Sequence, residues 1–285
     1  MSAHVASADL AVFELPHIEA DLHFLAPMNG RPHTYAYEPP AGVARTNAVE
    51  EARRVAVYDA RGHVHAFSLD REGFSFLQHQ SAVRDFADDD EVRRIYYPEV
   101  ERLITAQTGA ARVVIFDHTV RQRVRAAQDR APGTPRQPAT RVHVDQTAKS
   151  GPQRVRDIMG AEAETLLKGR AQIINLWRPI RGPLRDAPLA MADARSVAAA
   201  DLVPSDLIYR DRVGEIYTVK YNPDQQWFYL SGMQPTEALL IKCFDSATDG
   251  RARFAPHTAF NDPTAPADIL PRESIEVRTL VFHPS

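Results

Sequence analysis

The chain has 285 residues, 44% hydrophobic and 25% charged, enough to bury a core in one large domain or two small ones. A net charge of −3 supplies no basic field for nucleic acid, and the single cysteine, Cys243, excludes an intramolecular disulfide framework or a thiol-based zinc knuckle. No basic-then-apolar leader and no run of ~18 apolar residues is present, so membrane insertion and secretion are not expected and a reducing, cytoplasmic setting fits.

Residues 1–50 are rich in proline, alanine and polar residues, with Pro32, Pro39, Pro40 and Gly42 breaking any period, and are expected to form an irregular wrap. From residue 51 to 285 the pattern is that of a single domain. Residues 54–59 and 64–68 flank Ala60-Arg61-Gly62-His63 and predict a hairpin. Helix is expected near 80–108: Asp88 to Glu91 put negative charge at a helix start, Pro98 suits a first turn, Val100, Leu103 and Ile104 share a face, and Gly109 stops the run. Arg112 to Phe116 is a β-branched strand, followed by an exposed charged arm, Arg121 to Arg136, and by a second strand leading into residue 145. A helical insert spans 153–168. Thereafter strands are expected at 171–178, 213–221, 226–230, 238–244, 252–257 and 274–282, separated by turn signals. Short strands at this spacing, with little helix between them, predict a mainly β fold: a jelly roll, or double-stranded β-helix, with an N-terminal helical layer.

The motif that carries chemistry is His143-Val144-Asp145. In a strand, residues i and i+2 point to one side, so His143 and Asp145 can reach one metal ion while Val144 packs the other way. With 11 histidines in the chain, about one His-x-Asp/Glu arises by chance, and His17-Ile18-Glu19 is a second copy. The first copy stands at the entrance to the β-rich half, where a late strand can deliver His257 as the third ligand of a facial two-histidine, one-carboxylate iron site; the second falls in the leader. Two unrelated histidines satisfied in turns or core would give the same pattern. Beyond His257, Arg272 and Ser274 share a strand face and offer a guanidinium fork and a hydroxyl to a carboxylate; Arg278 lies further along that face, and Arg272 is narrowly preferred. Asn175, Trp177 and Pro179 alternate onto one side of their strand and suit a pocket wall or a core equally. Cys243, inside an apolar run, reads as a buried thiol, and nucleotide-binding glycine loops and a Gly-x-Ser-x-Gly elbow are missing.

Eight ordered blocks then bring in a resemblance. They are Tyr96-Tyr97-Pro98-Glu99-Val100-Glu101, Ile115-Phe116-Asp117-His118-Thr119, His143-Val144-Asp145-Gln146-Thr147, Asn175-Leu176-Trp177-Arg178-Pro179, Pro188-Leu189-Ala190 with Asp193 to Ser196, Lys242-Cys243-Phe244-Asp245-Ser246, Pro256-His257-Thr258-Ala259-Phe260 and Arg272 to Arg278. Together, from about residue 20 onward, the chain resembles the CmcJ/AsaB hydroxylase/desaturase family. The resemblance implies a non-haem Fe(II), 2-oxoglutarate-dependent oxygenase that hydroxylates, desaturates or cyclises a small, secondary-metabolite or amino-acid-derived substrate with dioxygen. It implies His143, Asp145 and His257 as iron ligands and Arg272 or Arg278 as the cosubstrate arginine; Ser274 and Asn175, read from their strand faces, complete the candidate cosubstrate residues. The alternatives are an iron oxidase that does not use 2-oxoglutarate and a non-catalytic jelly-roll binder. Homo-oligomers are compatible with the sequence, which fixes neither the assembly nor the substrate.

Overall fold

A computed structural model describes residues 14–124, 127, 129 and 133–284. Fourteen strands form two sheets among these residues. Nine make the larger sheet: β1 (His17–Leu25), β2 (His33–Tyr35), β3 (Glu50–Asp59), β6 (His143–Val144), β8 (Leu189–Ala192), β9 (Leu202–Ile208), β10 (Val213–Val219), β11 (Trp227–Tyr229) and β13 (His257–Ala259), in the order β1-β3-β11-β8-β13-β6-β10-β9-β2. The smaller sheet is β4 (Phe74–Gln78), β12 (Glu237–Asp245), β7 (Ala171–Pro179), β14 (Glu273–Phe282) and β5 (Arg112–Gln122), in the order β4-β12-β7-β14-β5. The two sheets form the expected jelly roll. Its pairing is antiparallel throughout the smaller sheet, while β3·β11 and β2·β9 in the larger one are parallel.

β7 and β12 are buried at every residue, as strands covered on both faces must be. On one side, Ile173, Trp177, Leu239 and Ile241 meet Val144, Met191 and Phe228 of the larger sheet in the main core. On the other, Ile174, Leu176, Leu240 and Val277 pack against Val92, Tyr96, Val100 and Ile104 of the helical layer. That layer comprises α1 (Asp89–Glu91), a π-helical turn (Val92–Tyr96) and α2 (Tyr97–Thr108). Asp88 caps its start by accepting from the Asp90 and Glu91 N–H groups, and Gly109 ends it with φ of 66°. The insert forms α3 (Ser150–Met159) and, after a 3₁₀ turn, α4 (Ala163–Leu166). At Gly151 a Cβ would sit 2.5 Å from the Phe244 ring, so only glycine lets α3 close onto β12.

Several expectations are corrected. Residues 17–25 are not an irregular wrap: Ile18, Ala20, Leu22 and Phe24 alternate with His17, Glu19, Asp21 and His23, and β1 pairs with β3 along its whole length. The hairpin at 54–68 does not form. β3 bonds instead to β1 and β11, and Val64–Ala66 is a 3₁₀ turn. Strand β13 begins only at His257, so 252–256 is not strand, and besides β1 four strands are unexpected: β2, β4, the alanine-rich β8, and β9 with its internal Pro204. The charged arm lies partly outside the described residues, as do residues 1–13. Where the arm is described, Arg121 and Gln122 close β5 and Arg136 pairs with Asp129.

Candidate metal centre

β6 is two residues long and sits between β10 and β13, with His143 opposite Thr218 on one side and His257 on the other. Residues directly opposite in an antiparallel pair hold their Cβ atoms about 5 Å apart, so this register alone brings the imidazoles together. Their ring centroids are 4.5 Å apart. Val142 and Val144 are fully buried, while His143 and Asp145 turn to the cavity side. Pairing stops at Val144, Asp145 lies in the bend that follows, and just before α3 Thr147 accepts from the Ser150 N–H at 3.0 Å, so the carboxylate hangs from a short, anchored corner.

His143, Asp145 and His257 each offer one ligating atom, all within 4.8 Å of one another. His143 Nδ1 lies 2.8 Å from the Arg141 carbonyl and His257 Nδ1 lies 3.0 Å from the Ala255 carbonyl. A carbonyl only accepts, so each Nδ1 donates and each Nε2 keeps its lone pair for a metal. Asp145 is held by two further donors, Asn175 Nδ2 at 2.8 Å and Arg278 Nε at 3.2 Å. Burial works to raise the Asp145 carboxyl, but the hydrogen bond that His143 gives when its Nε2 carries a proton rather than a metal, and the Arg278 charge, overcome it and hold the group well below the usual carboxylate range. Burial and the His143 ring lower His257, which favours the neutral form a metal requires. The donor set fits a facial two-histidine, one-carboxylate site.

The arginines separate sharply. Arg278 is engaged by Asp145, by Asp117 and Thr119 at 3.0 Å each, and by Glu276. Burial opposes its charge, and Glu276, Asp145 and Asp117 outweigh burial and raise it well above its ordinary value. Arg272, by contrast, lines the cavity with His143, His257, Trp177, Glu276 and Arg121. Its Nε donates to Ser274 Oγ at 3.0 Å, one terminal nitrogen donates to the Ala187 carbonyl at 2.8 Å, and its Cζ lies 4.9 Å from the Trp177 ring centroid. Burial first, then the nearby Arg121 charge, pull this guanidinium down to about 9.

Of the candidates read from the sequence, the structure therefore gathers His143, Asp145 and His257 in one cluster, with Arg272 lining the same cavity and Ser274 bonded behind it. Asn175 and Arg278, expected on the cosubstrate, both bond to Asp145. Arg121, expected at the start of an exposed arm, and Glu276, which no motif singles out, also line the cavity. His17 and Glu19 are half exposed on β1, 3.7 Å apart and outside the cluster. Cys243 is fully buried, and burial drives its thiol well up, so it is no nucleophile. A roomier surface groove of about 500 Å³ runs past Arg54, Tyr58, Tyr221 and Gln226, yet it shares no lining residue with this cavity and holds no metal-ligand cluster among the described residues.

A jelly roll with such a triad across its mouth defines the class of mononuclear non-haem iron oxygenases. Comparison with known proteins narrows it. A family profile described as an oxidoreductase/YMDC permease-like domain matches residues 22–282. The chain is 37% identical to the hydroxylase/desaturase efuI of Hormonema carpetanum over 84% of this chain and 87% of that one. It is 33% identical to the Fe(II)/2-oxoglutarate-dependent dioxygenase nvfI of Aspergillus novofumigatus, over 93% and 96% respectively. A solved structure of the iron and alpha-ketoglutarate-dependent endoperoxidase NvfI superposes with a TM-score of 0.85 at 29% identity, covering 94% of this chain and 99% of that one. The chain belongs to this family of Fe(II)/2-oxoglutarate-dependent hydroxylases and desaturases. Despite the word permease in the profile's description, no described helix is long and apolar enough to cross a membrane.

Proposed function

We propose that His143, Asp145 and His257 hold the iron and that Arg272 with Ser274 receives the distal carboxylate of 2-oxoglutarate, for the oxidation of a small metabolite at an unactivated C–H bond. The observation that carries this is the pair of Nδ1-to-carbonyl hydrogen bonds, which turns both imidazole Nε2 atoms into acceptors beside one half-buried carboxylate. When bound, iron and 2-oxoglutarate supply the oxidising power drawn from dioxygen. The residues of this chain do the rest. Asn175 and Arg278 keep Asp145 ionised and oriented, and the ring of Trp177 backs Arg272 so that its fork faces the cavity. Whether the outcome is an alcohol, an alkene or a ring follows from how the substrate's C–H bond is positioned. Hydroxylase/desaturase efuI and endoperoxidase NvfI show by their names that relatives divide on this point. We place the activity in a reducing cytoplasm, which suits a buried, unpaired Cys243, and we expect no nucleic-acid partner at a net charge of −3.

Asp145→Ala tests the assignment directly. Wild-type protein mixed anaerobically with Fe(II) and 2-oxoglutarate is expected to develop a visible absorption band, and in air to form succinate when substrate is added. The variant is expected to show neither, with iron content at background by elemental analysis. A variant that keeps the band would overturn the ligand set.

A further inference from the structure

We infer that Arg121 is a second cation of the anion seat, so that one distal carboxylate is held between two guanidinium groups, those of Arg121 and Arg272, with the Ser274 hydroxyl between them. The inference rests on the proposed 2-oxoglutarate site and adds a residue from a different strand to it. Strand register is its first support. Arg121 of β5 is directly opposite Ser274 of β14, which in turn is opposite Pro179 of β7; the next row along is Thr119, Glu276 and Trp177. Opposite residues share a sheet face, so Arg121 projects beside Ser274 onto the face that carries Trp177. Arg272 reaches the same spot from the end of β14, donating to Ser274 Oγ.

The second support is what each guanidinium lacks. Arg121 donates from one terminal nitrogen to the Gln137 carbonyl at 2.7 Å, which fixes its direction, and Arg272 is fixed by Ser274 and Ala187. Neither makes an ion pair among the described residues, although the surface arginines around them mostly do: Arg123 pairs with Asp186 and Arg136 with Asp129. A guanidinium has five N–H donors, so most of the donors on both remain for a ligand. Glu276 lines the same cavity and its charge acts on both, but its carboxylate is paired with Arg278. Two like charges facing one cavity repel unless an anion joins them, and burial lowers both guanidinium groups. A planar carboxylate can accept from both forks at once, whereas a 2-oxo acid with an apolar tail would leave both cations uncompensated.

The consequence is selectivity for a dicarboxylate, and calorimetry on the Zn(II)-loaded protein reads it without turnover. The probes are 2-oxoglutarate and 2-oxopentanoate, which has the same carbon count and lacks the distal carboxylate. Wild type should prefer 2-oxoglutarate by about a hundredfold or more, and Arg121→Gln should cut that preference about tenfold by weakening 2-oxoglutarate alone. Equal weakening of both ligands would mean that Arg121 only anchors Gln137, and unchanged binding of both would mean that it faces no ligand; either result overturns the inference. Arg272→Gln separates this from the underlying site: if wild type and Arg272→Gln bind the two oxo acids alike, the 2-oxoglutarate seat itself is misplaced. Should Arg121→Gln fail to fold, Arg121→Lys keeps the charge and loses the fork. A preference cut about threefold supports the inference there, and an unchanged preference overturns it.

Discussion

The two ends of the cavity are built on opposite principles. At the metal end every charge already has a partner: Asp145 is held by Asn175 and Arg278, Arg278 also by Asp117 and Glu276, and both imidazoles by backbone carbonyls. At the other end, Arg272 and Arg121 are oriented by neutral acceptors and make no ion pair among the described residues. A metal site must be rigid before the ion arrives, because its ligands converge on one point and would otherwise repel or collapse. An anion seat gains from the reverse arrangement, since cations left uncompensated in a low-dielectric wall are relieved only by the ligand. Pairing thus marks the scaffold of this site, and unpaired charge marks where a ligand goes.

A third cluster, outside the cavity, calibrates what full pairing contributes. Lys242 and Asp245 are both completely buried and bonded at 2.8 Å, with Arg170 at 2.7 Å and Gln172 at 2.7 Å on the same carboxylate oxygen. Asp245→Asn leaves Lys242 with only the half-exposed Asp70, and is expected to lower stability by about 3 kcal/mol, read from the shift in urea midpoint at constant slope. Burial raises the Asp245 carboxyl, and Arg170 and Lys242 overcome it and lower the group. A depressed carboxyl stabilises the fold fully above its unfolded value, near pH 4, and loses that contribution as the pH falls further. The stability gap between wild type and Asp245→Asn should therefore be constant at neutral pH and close on acidification. A gap that widens in acid would show the pairing has the opposite sign.

Arg278→Gln tests whether the ends are as separate as their pairing implies. Losing the donor behind Asp145 should weaken metal binding roughly ten- to a hundredfold, as outer partners of ligands do. At saturating metal, 2-oxoglutarate affinity should stay within about twofold of wild type, measured by calorimetry. Matching losses in both would mean that Arg278 also serves the anion seat, and the contrast between the ends would dissolve.

How much of this was legible in the sequence depends on the range of the interaction. The i, i+2 spacings of His143 with Asp145 and of Arg272 with Ser274 are local, each at the end of one strand, and could be read directly. The β1 strand was equally readable from the alternation of Ile18, Ala20, Leu22 and Phe24, but the prolines that follow masked it. Leu189-Ala190-Met191-Ala192 has little β preference, and only its place between β11 and β13 makes it a strand. Arg121 was beyond reach for a deeper reason. Its position beside Ser274 comes from pairing strands some 150 residues apart, and no local period encodes that register. The same holds for Arg278, whose distance from Asp145 is set by three strands meeting around Asn175.

The smallest expected effect is the most discriminating. Ser274 is almost wholly buried and accepts from Arg272 Nε at 3.0 Å, and it lies opposite Arg121 across the sheet. Ser274→Ala removes one hydroxyl and no charge, at a cost of about 1 kcal/mol in 2-oxoglutarate binding, or roughly fivefold. Metal affinity, set at the paired end, should not move. If Ser274 only orients Arg272, the loss will vanish in an Arg272→Gln background, because the group it steers is gone. If the hydroxyl also touches the carboxylate between two guanidinium groups, part of the loss will persist there, carried by Arg121. The double-mutant cycle therefore reads the arrangement of the anion seat from a single oxygen atom.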